Sequence, residues 1–153
     1  MKKLGAAVIG VGMRGREHAW VYATLPEVEL VAVYSRTEAR AKKVASEFGA
    51  KRYYTDFYKL AKDPEVDIVS IATPDHLHRE PAVAVAEEGK HMIVEKPLAT
   101  TVEDAKEIIR ATEKNNVKLM PFFHSRWYLH YYSTKESIER GEIGKPLYFY
   151  WRA

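Results

Sequence analysis

The 153-residue sequence predicts an α/β fold, a doubly wound parallel sheet with helices on both faces. Three observations predict it. A short apolar run, Ala6-Ala7-Val8-Ile9, passes directly into Gly10-Val11-Gly12-Met13-Arg14-Gly15 and then into helix-compatible residues. Strand-like and helix-like segments alternate six times along the chain, the pattern of βαβ units with right-handed crossovers. The stretch 66–72 is almost continuously apolar, as expected of a strand covered on both faces.

Residues 4–10 read as the first strand, and the helix after the glycines runs to about residue 25, with Pro26 in the next loop. Residues 28–34 are rich in β-branched side chains and form the second strand. Ser35 or Thr37 caps a helix that runs to Phe48 and stops at Gly49. Residues 51–54 form a short strand, and Thr55 or Asp56 starts a short helix that ends near Ala61. After an Asp63-Pro64 turn, the strand 66–72 is closed by Thr73-Pro74-Asp75. A helix over about 78–88 ends at Gly89, and the strand 91–94 is followed by Glu95-Lys96-Pro97. Thr101 opens a helix with Asp104 three residues on, close to a capping box. Its apolar positions Ala105, Ile108, Ile109 and Thr112 share one face. Asn115-Asn116 ends it, and 117–120 form the sixth strand.

The tail has a different character. Residues 122–132 are densely aromatic, a helix follows to about residue 140, and 141–146 form a loop. Residues 147–152 read as a strand of large aromatics. Such a strand pairs back onto its own domain, pairs with another chain as a homo-oligomer, or belongs to a chain cut short. The expected organisation is a nucleotide-binding domain over 1–121, then a linker helix and the first strand of a further domain over 122–153.

Composition narrows the function. Without cysteine there are no disulfides and no thiolate metal sites, and no metal site is expected. The net charge of +3 suits an anionic ligand. Basic residues are interleaved with acids, as in Glu38-Ala39-Arg40-Ala41-Lys42-Lys43, which reads as a solvated helical face and not as a nucleic-acid surface. No apolar run approaches the roughly 20 residues that span a bilayer, and no long apolar leader opens the chain. A cytoplasmic protein without membrane or nucleic-acid partners is the expectation.

The glycine motif carries the chemistry. In its dinucleotide-binding form, Gly10 turns the chain off the strand, Gly12 admits a pyrophosphate, and Gly15 lets the helix pack on the sheet. Val11, Met13 and Arg14 complete the loop, and the helix N-terminus offers free N–H groups and its positive dipole end. The alternative is a structural glycine turn. In doubly wound sheets ligands sit beyond the carboxyl ends of the strands. That rule gathers residues 10–15, 35–36, 73–78 and 95–97 into one cleft.

The ribose contact falls about 20 residues after the glycines. There the chain has Ser35-Arg36-Thr37 and no acid. Ser35 and Thr37 can bond a 2′-phosphate, and Arg36 can pair with it bidentately. NADP(H) is therefore favoured over NAD(H); alternatively Arg36 stacks on adenine without discriminating, because a planar guanidinium suits both.

Three segments together resemble one family: Val8-Ile9-Gly10-Val11-Gly12-Met13-Arg14-Gly15, Ala72-Thr73-Pro74-Asp75-His76-Leu77-His78, and Gly89-Lys90-His91-Met92-Ile93-Val94-Glu95-Lys96-Pro97-Leu98-Ala99. The chain is similar to the N-terminal Rossmann domain of the glucose–fructose oxidoreductase / inositol dehydrogenase / MocA family. The resemblance implies an NAD(P)-dependent oxidoreductase acting on sugars, cyclitols or related hydroxyl and carbonyl compounds. It implies that Lys96 lies near nicotinamide and substrate as the catalytic lysine, and that Thr73, Pro74 and His78 line the cofactor. Glu95 is implied to contact the nicotinamide half or to orient Lys96. Read from its residues alone, Glu95-Lys96-Pro97 is equally a strand-end turn with a solvated ion pair. His18 sits near the phosphates or is simply a helix residue, and His76 and His91 carry no chemical role.

The chain departs from the family pattern at Asp75 and His124, where Asn is common, and at Leu129, where Pro is common. The family's second domain, which supplies a catalytic Asp and His, has no counterpart in these residues. The expectation is a fragment that binds cofactor better than it catalyses. The competing readings are a non-catalytic dinucleotide-binding or regulatory module and a remnant that self-associates through its aromatic tail.

Overall fold

The computed structural model describes residues 3–148 and 150. By its internal contacts the chain divides into two units, Met1–Phe122 and Phe123–Ala153.

Among the described residues, the first unit is one six-stranded parallel sheet in the order β3-β2-β1-β4-β5-β6. Its strands are β1 (Leu4–Ile9), β2 (Val28–Tyr34), β3 (Arg52–Tyr54), β4 (Ile68–Ile71), β5 (His91–Glu95) and β6 (Leu119–Phe122). Between them run α1 (Met13–Thr24), α2 (Glu38–Phe48), α3 (Phe57–Ala61), α4 (Arg79–Glu87) and α5 (Val102–Lys114). This is the expected doubly wound fold. The chain winds one way from β1 and returns to its other side at β4, so the topological switch lies between these two strands.

Period-2 alternation puts β1 at the centre of two cores. Ala7 and Ile9 face a cluster with Val69, Ile71, Val85 and Ile108. Ala6 and Val8 face the other, with Ala19, Val33 and Val44. All four β1 residues are fully buried, which is why the strand contains no polar side chain between Gly5 and Gly10.

Most caps follow the sequence, but Thr37, the N-cap of α2, makes no side-chain hydrogen bond to the helix. Gly49 ends α2 at φ 72°. The Asp56 carboxylate accepts from the amides of Tyr58 and Lys59, and the Thr101 hydroxyl accepts from the Asp104 amide. The starts of β4 and β6 and the buried face of α5 differ from expectation. β4 starts at Ile68, not residue 66, because the Val66 amide still donates to the Asp63 carbonyl in the preceding turn. β6 starts at Leu119, not residue 117, because the Val117 amide closes α5 on the Thr112 carbonyl. Ile109 is 40% exposed while Ile108 is buried, since one residue turns a helix by about 100°.

In the second unit a short turn, His124–Trp127, precedes α6 (Leu129–Glu139). Gly141 and Gly144 take positive φ in the loop that follows. The strand expected over 147–152 is not formed at Leu147, Tyr148 or Tyr150, because a strand needs a hydrogen-bonded neighbour. Its other positions lie outside the described residues.

Candidate functional site

At the carboxyl ends of β1 and β4 lies a cleft of about 500 Å³, the size of a small-molecule site. From the glycine loop, Gly10, Val11, Gly12, Met13 and Arg14 line it. From the end of β2 come Ser35, Arg36 and Thr37, and from the end of β4 come Thr73 and Pro74. Sequence segments up to about 60 residues apart thus meet where the switch-point rule places them.

The backbone of the loop suits an anionic group. Gly10 holds φ +93°, and a side chain there would press on the backbone of Ala72 and Thr73. Gly12 faces open space, with no atom within 4 Å of the position a Cβ would take. A Cβ at Gly15 would collide with the Gly10 carbonyl, so this third glycine packs helix against strand and does not line the cleft. Gly12 caps α1 without a side-chain hydrogen bond, and the first turn contains no acid. Its N–H groups and dipole are therefore presented to a ligand.

Around the β2 end, the Ser35 hydroxyl accepts from the Thr37 amide at 3.3 Å and so shapes the turn. Arg40, in the first turn of α2, also lines the cleft, although its charge pattern reads as part of a solvated helical face. Tyr34, Phe57, Leu77 and Pro81 give an apolar wall, with Phe57 edge-on to Tyr34 at 5.7 Å. Burial pushes the Tyr34 phenol up and the Arg36 guanidinium opposes this. Glu80 is the acid of the wall, and its carboxylate accepts from the Tyr58 hydroxyl at 2.8 Å.

Besides Gly15, three predicted residues lie outside the cleft lining. His78 is fully buried and does not line it. Its Nδ1 is 2.9 Å from the Pro97 carbonyl oxygen and its Nε2 is 2.9 Å from that of Thr73. The ring thus ties the two strand-end motifs together, and both nitrogens are committed to the fold. Glu95, at the end of β5, is 6% exposed, and its Oε1 lies 3.1 Å from Nε2 of His18. Lys96 follows, exposed to solvent, and its bond to Pro97 is cis.

A doubly wound sheet with a glycine loop, an uncapped helix and a cleft at the switch point defines a dinucleotide-binding domain. The model of the oxidoreductase family with an NAD-binding Rossmann fold, GFO_IDH_MocA, matches residues 4–123. The chain belongs to this family. It is 37% identical to levoglucosan dehydrogenase of Pseudarthrobacter phenanthrenivorans, over 97% of this chain and 40% of the relative. It is 36% identical to scyllo-inositol 2-dehydrogenase (NAD(+)) of Bacillus subtilis, over 94% of this chain and 42% of the relative. A solved levoglucosan dehydrogenase in complex with NADH and levoglucosan superposes at a TM-score of 0.88 with 34% identity, covering 94% of this chain and 41% of that one. The chain therefore spans about 40% of the length of the relatives it matches. Among the described residues no helix is long and apolar enough to cross a membrane.

Proposed function

We propose that this chain is the cofactor-binding part of an NAD(P)-dependent oxidoreductase acting on a sugar, cyclitol or related hydroxyl or carbonyl compound. The observation that carries the reading is the open space over Gly12 at an uncapped helix N-terminus. The amides there hold the pyrophosphate, with Arg14 beside it. The adenosine half lies against Tyr34, Phe57, Leu77 and Pro81. Bound nicotinamide would supply the hydride acceptor or donor. Lys96, at the end of β5, orients or polarises the reacting oxygen, and its compact ammonium suits that task. Thr73 and Pro74 border the same end of the cleft.

Arg36 and Arg40 support NADP(H) over NAD(H) in this chain. Arg36 just after β2 and Arg40 in the first turn of α2 line the cleft, and residues 35–37 include no carboxylate, where an acid would otherwise accept from a ribose 2′-hydroxyl and repel a 2′-phosphate.

Turnover tests the activity. A polypeptide carrying this domain is incubated with NAD+ or NADP+ and a panel of cyclitols and anhydrosugars, and reduced nicotinamide is followed by absorbance. Formation that is lost in Lys96→Ala is expected. Cofactor binding with no turnover on any of the panel would favour a binding or regulatory module.

A further inference from the structure

Four polar side chains from three elements, α1, β4 and β5, form one hydrogen-bonded line beneath the sheet's carboxyl edge. The Tyr22 hydroxyl lies 2.6 Å from Ser70 Oγ. Ser70 Oγ lies 3.2 Å from His18 Nδ1, and His18 Nε2 lies 3.1 Å from Glu95 Oε1. Ser70 is fully buried, Tyr22 and Glu95 are less than a tenth exposed, and the His18 side chain is 11% exposed. The ring of Phe122 stands edge-on to His18 at 5.2 Å. Buried polar groups need partners, and a network is stable in a dry place only when every member is satisfied.

The donor count selects one arrangement. An ionised Glu95 only accepts, so Nε2 of His18 carries the proton and donates to it. In the neutral ring Nδ1 is then an acceptor, and it takes the Ser70 hydroxyl proton. Ser70 in turn accepts from the Tyr22 phenol. Every N–H and O–H of the four groups has an acceptor. In the opposite tautomer, Nε2 would face the carboxylate as acceptor against acceptor. In the imidazolium, Nδ1–H would donate to Ser70, and one hydroxyl proton would lose its acceptor among the four groups.

We infer that His18 is a positioning residue: as the neutral Nε2–H tautomer, held by Ser70 and Tyr22, it fixes the Glu95 carboxylate and with it the end of β5 that carries Lys96. The inference rests on the dinucleotide reading of the cleft. His18 lies one turn beyond Gly15 on α1, so a single side chain links the pyrophosphate helix to the strand end facing the nicotinamide half. Its effect is therefore expected on the nicotinamide half and not on the adenosine half.

Two measurements test this. Proton–nitrogen NMR of the histidine rings in the intact chain is expected to show His18 neutral with the proton on Nε2. An imidazolium or an Nδ1–H ring overturns the inference, whatever the cofactor does. Calorimetry then compares NADH with ADP-ribose, which lacks nicotinamide. For His18→Ala, NADH affinity is expected to fall about tenfold and ADP-ribose affinity by less than about twofold, the size of one lost hydrogen bond to a charged group. His18→Gln, whose amide can still donate to Glu95, is expected to recover most of the NADH affinity and serves where the alanine variant fails to fold. Equal losses for the two ligands, or none, overturn the inference. Failure of the unaltered chain to bind either ligand overturns the dinucleotide reading itself, while the NMR result still decides the tautomer.

Discussion

The imidazole of His78 bridges to Pro97, its Nδ1 2.9 Å from the Pro97 carbonyl oxygen. With its other nitrogen at the Thr73 carbonyl, the ring joins the segment after β4 to the segment after β5. A fully buried side chain that meets two backbone carbonyls acts on the fold first. His78→Ala leaves a cavity and takes away the N–H that the ring donates to one of these carbonyls, and is expected to cost about 2–4 kcal/mol. Urea unfolding measures it. A loss under about 1 kcal/mol would show that the loops hold without this tie.

The glycines separate binding from folding. Gly12→Ala puts a methyl into open space at a φ of −71° that any residue adopts. Stability is expected to change by no more than about 0.5 kcal/mol, while dinucleotide affinity falls at least about tenfold, because the methyl stands where the pyrophosphate approaches. Gly15→Ala drives a methyl into the Gly10 carbonyl and is expected to destabilise by several kcal/mol, of the order seen for overpacked sites. Thermal melting and calorimetry on both variants check the pair. A reversed pattern would remove the reading of the loop.

Arg36 and Arg40 are expected to choose the cofactor. Arg36→Ala should weaken NADPH by about tenfold or more, the worth of a charge-assisted bidentate pair, and NADH by less than about threefold. Arg40→Ala should act in the same direction. Equal losses for the two cofactors would leave Arg36 as an adenine-stacking residue.

Alkaline pH probes the line that holds Glu95. Burial pushes the Tyr22 phenol above its ordinary value of 10.0, against the opposing hydrogen bond of Ser70. Because the folded value is raised, the stability linked to this phenol is fully present below pH 10.0 and is lost as pH rises through the folded value. Tyr34 and Tyr54 are shifted the same way, each chiefly by burial. The urea midpoint is expected to fall above about pH 10, and less steeply in Tyr22→Phe. An unchanged slope in that variant would mean the phenol titrates freely in the folded chain.

Most of the fold was legible because periodicity and punctuation agreed. The apolar run of β1, the caps at Asp56 and Thr101 and the stop at Gly49 all fall where local rules put them. The boundaries of β4 and β6 were not legible, since they depend on which carbonyl a single amide selects. The cleft was legible wherever a motif marked it, as at residues 10–14, 35–37 and 73–74. Arg40 escaped because its charge reads as a solvated helical face; its place in the first turn of α2, just after the end of β2, was the available signal. His18 and Glu95 are 77 residues apart, and no local pattern joins a helix histidine to a strand-end glutamate. His78 was singled out by its motif, but its burial depends on the packing of two loops.

Whether the glycine loop holds a dinucleotide is decided by calorimetric titration of the folded chain with NADPH and, separately, NADH. Saturable binding of dinucleotide is expected, tighter for NADPH, and Gly12→Ala is expected to abolish it or weaken it strongly. No binding of either by a chain with a cooperative melting transition would contradict it and leave the glycine loop a structural turn.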